Sequence, residues 1–444
     1  MKRSLFGTFI FAFTAFGQNN SFVLSDVRLI DGTGRAPVEH ATVVVRNGKI
    51  VRAGAQAGSD TSGARMIRLS GKTVMPGLIN GHGHVGLVKG TAVAPSNYNG
   101  LNIMHQLVQY EEYGVTTVIS LGMNKGLLYK IRSDQEKGNE PGATVLTAGR
   151  GIGVPKGMPP VKVGPDQIYR PRTPEQARAA VREMAIHSPD LIKLWVDDNL
   201  GKLPKPNMDV EAAAIDEAHK LDLSVAAHVY YRDDVKKLLQ DGVDILAHSV
   251  RDGVLDSDTV SAIKEKKVYY IPTLQLEESF YGFAEHPEWV KSPFFQFVSN
   301  QPLKASVGSE SYRSSVAKDR TTETHKKALE VAKQNVRKLH DATVELAFGT
   351  DSGANPYRVP GFAEHRELQL LVEAGLSPLE AIRCATQTTA AMLQIDEKTG
   401  TIQAGKQADL IVLNGDPSKD IANTEKIEMI FHNGRQVKRE PAND

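Results

Sequence analysis

The sequence predicts an α/β fold: a (β/α)8 TIM-like barrel with a small β-sandwich domain built from both chain ends. Two observations predict it. Short apolar strands alternate with amphipathic helices through the middle of the 444-residue chain, which is the pattern of a parallel α/β fold. Short alternating strands separated by turns occupy both ends instead, which indicates one small sheet domain to which the two ends contribute.

Residues 1–17 are predicted to be a signal peptide rather than part of the fold. Lys2 and Arg3 precede an apolar, phenylalanine-rich stretch, and Ala15 and Gly17 place small side chains at the cleavage-site positions. The apolar stretch is too short to cross a bilayer comfortably. An uncleaved anchor or a buried N-terminal helix is the alternative interpretation. A signal peptide predicts a periplasmic or secreted protein without membrane attachment once the peptide is removed.

The composite sheet domain is predicted to comprise residues 18–74 and 400–444. Alternating strands lead into an Asn-Gly turn at Asn47 on the N-terminal side and at Asn433 on the C-terminal side. An Asn-Gly pair after an alternating run is a strong hairpin signal. Because the same pattern occurs at both ends, we expect the two segments to share one sheet.

Residues 75–399 are predicted to form the barrel. Apolar segments of β-branched residues recur there, each followed by an amphipathic helix, and eight such units fit a barrel better than an open sheet. The predicted strands lie at 78–84, 116–121, 144–148, 191–196, 224–228, 245–248, 268–272 and 345–348. The aromatic-rich connection over 274–338 is either a lid over the barrel mouth or a helical excursion that packs its rings on the barrel.

Composition excludes several kinds of partner and site. The chain has 53 Lys and Arg residues against 52 Asp and Glu, a formal net charge of +1, so its charge does not indicate a nucleic-acid partner. Cys384 is the only cysteine, which excludes disulfides within the chain and cysteine metal clusters. This residue falls in a helical pattern over 377–393 and is predicted to be a small buried core residue.

The strongest local motif is His82-Gly83-His84, at the end of the first predicted barrel strand. Residues i and i+2 of a strand point to the same face, so we expect the two imidazoles to converge. Imidazole nitrogens are suited to zinc or a similar divalent ion. An isolated His-x-His motif can occur by chance, but its position at a strand end indicates a metal site.

Three further strands end in residues of the same kind. His228 closes the fifth strand, His248 closes the sixth, and Asp351 follows the eighth. The C-terminal strand ends of a (β/α)8 barrel meet around one pocket, so residues that are far apart in sequence converge there. Four histidines and one aspartate in equivalent positions therefore predict a metal centre at the barrel mouth.

Lys193 is the exceptional residue of the apolar fourth strand. A lysine inside such a strand is costly unless it is paired or modified. One solution is reaction of its neutral amine with carbon dioxide, which gives an anionic carbamate whose two oxygens can bridge two cations. The alternative is an ion pair with Asp197 or Asp198, or a side chain that points out of the barrel.

These motifs resemble those of the amidohydrolase superfamily, and the resemblance covers nearly the whole chain after the predicted signal peptide. Pro-Gly-Leu-Ile-x-x-His-x-His, the strand-four lysine, two strand-end histidines and Gly-Thr-Asp at strand eight occur in that family's order. The run from Gly400 to Leu410 is similar to that family's return to its small sheet domain. Lys193 resembles the lysine of the binuclear subtype that includes prolidase-like and Xaa-Arg/Lys dipeptidases.

The resemblance implies two divalent metal ions, with zinc the first candidate, and a carbon dioxide-derived carbamate on Lys193. It assigns His82, His84 and Asp351 to the more buried ion, His228 and His248 to the second, and carboxylated Lys193 to the bridge. Two positions depart from the family's pattern. Many relatives have Asp where this chain has Asn80, and dipeptidase-like members often carry a histidine in the loop that here, over 149–158, has none.

The implied function is hydrolysis of an amide (C–N) bond in a small substrate such as a dipeptide or an N-acyl amino acid. A metal-bridged hydroxide would attack the carbonyl, and Asp351 would act as general base and then as general acid toward the leaving nitrogen. Tyr230, Tyr231 and Arg251 follow the strand-end histidines and are candidates to hold a substrate carboxylate or polarise its carbonyl. Surface or helix-capping roles are the alternative for these three residues.

Rival functions use the same residues differently. A mononuclear cyclic-amide hydrolase or deaminase, of the imidazolonepropionase kind, would bind one ion and use His248 to orient the water. Lys193 argues against it, because a one-metal site needs no bridging ligand. A lactonase or esterase would cleave an easier bond at the same centre, and a non-catalytic scaffold would be expected to lose ligands that this chain retains. The metal could be zinc, manganese, cobalt or iron, and formation of a homo-oligomer stays open.

Overall fold

The structure, a computed structural model, describes residues 20–55 and 63–441. The predicted signal peptide, residues 1–17, lies outside the described residues. The strands are β1 (Phe22–Leu29), β2 (Val38–Arg46), β3 (Lys49–Gly54), β4 (Arg65–Arg68), β5 (Thr73–Pro76), β6 (Leu78–Gly83), β7 (Val88–Lys89), β8 (Ala92–Val93), β9 (Val115–Ser120), β10 (Thr144–Thr147), β11 (Ile192–Trp195), β12 (Val225–His228), β13 (Ile245–Ala247), β14 (Tyr269–Ile271), β15 (Leu410–Leu413), β16 (Ile427–His432) and β17 (Arg435–Gln436).

Helices connect most of these strands and form the segment between β14 and β15. They are α1 (Gly100–Glu112), α2 (Gly126–Glu136), α3 (Pro174–Ala185), α4 (Met208–His219), α5 (Arg232–Asp241), α6 (Ser257–Glu265), α7 (Leu274–Glu278), α8 (Gly282–Glu285), α9 (Pro287–Lys291), α10 (Pro293–Val298), α11 (Gln301–Val307), α12 (Glu310–Lys318), α13 (Thr322–Asp341), α14 (Phe362–Glu373), α15 (Pro378–Arg383) and α16 (Thr389–Met392). A π-helical turn, Cys384–Thr388, joins α15 to α16. Cys384 is buried there, as predicted for a core residue.

Strands from both ends of the chain form one eight-stranded sheet. Its order is β17-β16-β15-β5-β1-β2-β3, with β4 paired to β1. The C-terminal strands join the N-terminal strands where β15 pairs antiparallel with β5. Within the N-terminal segment, β1 pairs antiparallel with β2. Leu24, Val43 and Phe431 belong to a buried apolar cluster on this sheet, as expected for strands with one covered face. The two ends thus share one sheet, and its arrangement as a sandwich stays a prediction.

The middle of the chain alternates parallel strands with helices. β6, β9 and β10 form one parallel sheet, and β11 to β14 form another. Isolated parallel bridges extend the edges: Ile152 pairs with Leu194 of β11, and Gly83 of β6 pairs with Ser352. The predicted α/β class is therefore confirmed, and complete closure of the barrel stays a prediction.

Seven of the eight strands predicted for this region coincide with observed strands to within one residue at either end. The prediction of an eighth strand over 345–348 is wrong in detail, because Leu346 forms only an isolated bridge with Tyr270. The backbone leaves the extended conformation soon afterwards, at Asp351, whose φ is 58°. The segment still hydrogen-bonds on its other side, where Gly81 N donates to Phe348 O at 2.8 Å.

Helix boundaries follow capping residues that the sequence contains. Thr173 and Asp256 accept hydrogen bonds from the first turns of α3 and α6, and Ser377 and Glu380 form a capping box at α15. α5 ends at Asp241, and the next residue, Gly242, caps it with a left-handed φ of 93°. Among the described residues, no helix combines the length and the apolar character needed to span a bilayer.

The connection over 274–338 is largely helical, from α7 to α13. Phe283, Phe295 and Phe362 pack against one another with ring centroids 5.0 to 5.4 Å apart. These rings join the connection to α14, as the helical-excursion interpretation predicts. α7 and α13 also contribute side chains to the cavity described below, so the connection forms one wall of that cavity.

Glu211 in α4 predicts a measurable pH dependence of stability. It is 2% exposed and its Oε2 has no hydrogen-bond partner among the described residues. Burial raises its pKa to about 8, so the folded protein holds this proton at pH values where the unfolded chain has released it. Its contribution to stability is complete below about pH 4.5 and is lost as the pH rises to about 8. Between pH 5 and 9, the free energy of unfolding should fall by roughly 2–4 kcal/mol more in the wild type than in Glu211→Gln, measured by urea titration. Parallel curves for the two proteins would contradict this assignment.

Candidate metal centre

The end of β6 brings two imidazoles to one carboxylate. His82 Nε2 lies 3.3 Å and His84 Nε2 lies 2.9 Å from Asp351 Oδ1. One potential ligand atom from each of the three residues lies within 4.8 Å of the others, and all three residues are buried. Two imidazole nitrogens and a carboxylate oxygen form a ligand set that suits zinc and similar divalent ions.

Two further imidazoles lie against this group. The His248 ring centroid is 4.5 Å from that of His82 and 4.3 Å from that of His228. His228 Nε2 lies 2.9 Å from Asp197 Oδ2, and His248 Nδ1 lies 2.7 Å from Thr273 Oγ1. Each ring therefore has one nitrogen engaged by an oxygen of the protein, which orients the other nitrogen for a metal.

The electrostatic environment keeps these rings in their neutral, metal-binding form. Burial lowers the pKa of His228 and lowers that of His248 well below its ordinary value. Burial and the neighbouring Lys193 together lower the pKa of His82 in the same way. Since only the neutral imidazole has a lone pair to donate, these shifts favour metal binding.

Lys193 lies in β11, is fully buried, and has no hydrogen-bond partner for Nζ among the described residues. The predicted alternative partners are occupied: Asp197 accepts from His228 and Asp198 from Tyr231. Burial lowers the pKa of the amine to about 7, although Asp351 opposes the shift. A buried ammonium group without a hydrogen-bond partner is costly, so the environment favours the neutral amine.

Backbone conformation at the strand ends is unusual. Asp351, His248 and Thr273 all have left-handed φ angles, of 58°, 77° and 48°. Non-glycine residues adopt this conformation at a cost, and such strain concentrates at functional sites. Gly353 also has a positive φ, of 78°, and a Cβ there would lie 2.1 Å from the carbonyl oxygen of His84. Only glycine therefore allows the loop after Asp351 to approach His84 so closely.

A cavity of about 290 Å³ opens above the ligand group. Its apolar wall includes Trp195, Leu276 and Phe280, and its polar wall includes Arg251 and Arg358. The remaining lining residues are His82, His84, Met123, Met158, Pro159, Pro160, Val161, Asp197, Asn199, Leu200, His228, Tyr230, His248, Glu277, Thr324, His325, Ala328, Asp351, Ala354 and Asn355. The cavity is large enough for a small molecule and offers it both an apolar and a polar wall.

Two of the three residues predicted to bind substrate lie at the cavity, and the third does not. Tyr230 and Arg251 line the cavity. Tyr231 does not line it, since its hydroxyl donates to Asp198 and Lys205 Nζ lies 3.9 Å from its ring centroid. The sequence placed Tyr231 near the mouth, but side chains of adjacent residues leave the chain in different directions. Its prediction as a substrate-binding residue has no geometric support here.

The family profile of the amidohydrolases matches residues 73–437. The match covers the parallel strands, the candidate ligand residues and strands β15 to β17 of the eight-stranded sheet, which is called the terminal sheet below because both chain ends form it. The chain belongs to the amidohydrolase family.

This amidohydrolase has partial matches among curated sequences. It is 29% identical over 233 residues to an uncharacterized protein of Mycobacterium tuberculosis, across 52% of this chain and 56% of that protein. It is 26% identical over 269 residues to the ochratoxinase of Aspergillus niger, across 58% of this chain and 48% of the ochratoxinase. The chain thus spans about half the length of the curated relatives it matches.

The likeness to solved structures covers more of this amidohydrolase. A protein from Bifidobacterium longum with a provisional prolidase assignment has a TM-score of 0.75 and 26% identity, with 95% of each chain covered. Coverage of this extent includes both the terminal sheet and the parallel strands. The two regions therefore occur together in the relative as they do here.

Sequence reasoning missed two partners of the ligand residues in this amidohydrolase. Arg358 donates from Nη1 to Asp351 Oδ2 and from Nε to Ser279 Oγ. Burial acts to raise the pKa of Asp351, but Arg358 and the two histidines outweigh it and hold that pKa well below its usual range. Asp197, which engages His228, was considered only as a partner for Lys193. Neither residue lies in a motif, so no sequence signal identified these roles.

A buried ionic cluster in the cavity wall was missed for the same reason. Arg251 Nη1 donates to Glu277 Oε1 at 2.7 Å, and His325 Nδ1 lies 2.7 Å from Glu277 Oε2. Burial would raise the pKa of Glu277, yet Arg251 and His325 lower it on balance. The His325 ring stacks on Phe280 with centroids 3.8 Å apart. Glu277, Phe280 and His325 all lie in the connection over 274–338.

Proposed function

We propose that this chain is a metal-dependent hydrolase that cleaves an amide bond in a small substrate such as a dipeptide or an N-acyl amino acid. One observation carries the proposal: four imidazoles and the Asp351 carboxylate come together at one cavity, next to the buried amine of Lys193, which has no hydrogen-bond partner among the described residues. Relatives named as an ochratoxinase and a provisional prolidase support hydrolysis of C–N bonds.

The state of Lys193 decides how many metals the site holds. We propose that its neutral amine attacks the carbon of carbon dioxide, forming an N–C bond, and then loses a proton to give an anionic carbamate. The carbamate would convert a costly buried cation into an anion among metal ligands. Support comes from complete burial, the missing hydrogen-bond partner, and a pKa lowered to about 7.

The residues present fit two divalent ions. His82, His84 and Asp351 would hold one, His228 and His248 the other, and carboxylated Lys193 would lie between them. Bound metals of this kind lower the pKa of water and polarise a carbonyl. Imidazole nitrogens and carboxylate oxygens suit zinc, and the same set also accepts manganese, cobalt or iron.

The chain's own groups would handle the proton and the substrate. Asp351 Oδ1 lies nearest the histidines and would accept the proton of the attacking water and transfer it to the leaving nitrogen. Arg358, on the other oxygen, would keep this carboxylate oriented. Trp195, Leu276 and Phe280 would bind the apolar part of the substrate and exclude water from it.

A mononuclear cyclic-amide hydrolase or deaminase is the second candidate. A stretch of 89 residues is 36% identical to the imidazolonepropionase of Deinococcus radiodurans, although it covers only 20% of this chain. Lys193 favours the binuclear enzyme, because a one-metal site leaves its buried amine without a function. A lactonase or esterase would use the same residues and is distinguished by its substrate.

Metal content tests the proposal directly. Protein expressed with added zinc and bicarbonate should contain about two metal ions per chain by plasma mass spectrometry. The same preparation should hydrolyse members of a panel of dipeptides and N-acyl amino acids, with cyclic amides, aminopurines and lactones as the contrasting substrates. About one metal per chain with deamination or cyclic-amide hydrolysis would contradict the binuclear proposal.

Arg251 tests whether the ionic cluster binds substrate. Arg251 and Glu277 are both buried, so Arg251→Met leaves the Glu277 carboxylate with His325 as its remaining partner and should lower stability by about 3 kcal/mol. Adding Glu277→Gln removes that charge, so the double variant should regain much of the loss. If Arg251 also holds a substrate carboxylate, KM should stay raised about tenfold or more in the double variant. Urea unfolding and KM measurements separate the two roles, and a KM restored together with stability would leave Arg251 a structural residue.

Three further predictions accompany this function. We propose that residues 75–399 close into a complete barrel and that residues 18–74 and 400–444 form a two-layer sandwich. We also propose that residues 1–17 direct export, which makes the enzyme periplasmic or secreted. Mass determination of the mature protein from the periplasmic fraction tests the last point, since cleavage after Gly17 removes a defined mass.

A further inference from the structure

Glu364, in α14, places a fully buried carboxylate next to the candidate ligand residues. Its Oε1 accepts hydrogen bonds from Asn80 Nδ2 at 2.6 Å, Ser352 Oγ at 2.6 Å and Thr350 Oγ1 at 2.8 Å. Its Oε2 accepts from the backbone N of Gly361 at 2.6 Å. One carboxylate thus satisfies four donors, which is the arrangement of a precisely held anion.

The donors lie directly beside the ligand residues. Asn80 is two residues before His82 in β6, and its Oδ1 accepts from His82 N at 2.9 Å. Thr350 and Ser352 flank Asp351 on either side. Glu364 therefore connects the strand that carries the histidines to the loop that carries the aspartate.

Charge complementarity accounts for an amide rather than a carboxylate at position 80. An aspartate at position 80 would place a second carboxylate within hydrogen-bond distance of Glu364 in a buried site, and two such groups repel strongly. The amide of Asn80 instead donates to Glu364, and also lies 3.0 Å from Thr350 Oγ1. Asn80 and Glu364 thus form one complementary pair, in which β6 supplies the amide donor and α14 supplies the carboxylate.

We propose that Glu364 is a positioning residue for both arms of the metal site, with the amide of Asn80 as its complementary partner on β6. It acts through Asn80 on the backbone of His82, and through Thr350 and Ser352 on the position of Asp351. This inference rests on the proposed metal-dependent function. It assigns no contact between Glu364 and the metal or the substrate.

Swapping the two groups tests the inference. The variants are Glu364→Gln, Asn80→Asp, and the double variant Asn80→Asp/Glu364→Gln, which restores one carboxylate and one amide with their positions exchanged. The readouts are zinc per chain after dialysis against a graded chelator series and the Tm of the metal-free protein. Glu211→Gln, another buried glutamate with no contact to the ligand residues, is the matched control.

Each single variant should weaken zinc retention by about tenfold to a hundredfold, the usual effect of removing a partner that orients a ligand. The double variant should return to within a few-fold of the wild type, because donor and acceptor are again complementary. Glu211→Gln should retain zinc like the wild type even if its Tm changes. A merely structural role would change Tm in the single variants without this recovery of zinc binding.

Two results would overturn the inference. Either Glu364→Gln retains zinc like the wild type, or the double variant binds no better than the weaker single variant. Wild-type protein that binds no metal would instead overturn the proposed function itself, and this inference with it. The wild-type measurement in the same series therefore distinguishes the two failures.

Discussion

Replacing Lys193 by alanine should lower kcat/KM by about a thousandfold and lower the metal content from about two ions per chain to one or fewer. The physical reason is that Nζ is the buried group from which the bridging anion would be built, and no other side chain among the described residues can replace it there. Activity with the proposed amide substrates and plasma mass spectrometry measure the two effects. Omitting bicarbonate during reconstitution of the wild type should reduce both in the same direction.

Packing and charge need separate controls in this experiment. Lys193→Met keeps most of the side-chain volume but removes the amine, so it should lose metal as Lys193→Ala does while losing less stability. Lys406 is a partly buried lysine at the terminal sheet, where Nζ donates to Thr401 Oγ1 at 2.6 Å. Lys406→Ala should therefore leave the metal content unchanged. Two metals in Lys193→Met would contradict the carbamate bridge.

Replacing Asp351 by asparagine should lower kcat by about a hundredfold to ten-thousandfold, the range expected when a general acid–base group is removed. The change is nearly isosteric, but it removes the group that would accept and release the proton. It also leaves the guanidinium of Arg358 without its buried partner, so some loss of stability is expected as well. Steady-state kinetics and thermal unfolding measure the two effects.

Asp190 provides the matched control for this substitution. It is also paired with an arginine, since Arg132 Nη1 donates to Asp190 Oδ2 at 2.7 Å. The residue lies just before β11, at the opposite end of that strand from the cavity. Asp190→Asn should therefore reduce stability but leave kcat within about twofold of the wild-type value. A partly exposed ion pair remote from the cavity contributes to folding and not to the reaction. An Asp351→Asn variant that keeps kcat within tenfold of the wild type would remove Asp351 from the proton transfer.

Much of the fold could be predicted because hydrophobic periodicity is a local property. β-branched apolar runs and amphipathic helices repeat in a form that the sequence displays directly, and seven strands of the middle region lie where this pattern placed them. The prediction of a strand over 345–348 was wrong because hydrogen bonding to neighbouring strands, rather than composition, defines a strand. Its neighbours pair with it at too few positions before the backbone turns at Asp351.

The residues proposed as metal ligands could be grouped for a related reason. Parallel strands all end on the same side of the sheet, so residues at their ends lie close together. On this basis the sequence alone groups the residues at the predicted strand ends, which are His82, His84, His228, His248 and Asp351. The sequence also identified Lys193 as a lysine inside an apolar strand, but left open whether it is modified, paired with Asp197 or Asp198, or directed out of the barrel. What the sequence could not indicate is that this amine has no hydrogen-bond partner among the described residues, because that depends on where the side chains of Asp197 and Asp198 point.

The sequence by itself indicated the α/β class, the strand-end residues proposed as metal ligands and the unusual lysine, because each depends on periodicity or on position along one element. Only the tertiary structure decided which groups support them. Arg358 reaches Asp351 across a loop, Glu277 joins Arg251 to His325, and Glu364 joins β6 to the loop after the last predicted strand. Such contacts depend on loop conformation and on the packing of elements distant in sequence, and neither leaves a repeating pattern in the chain.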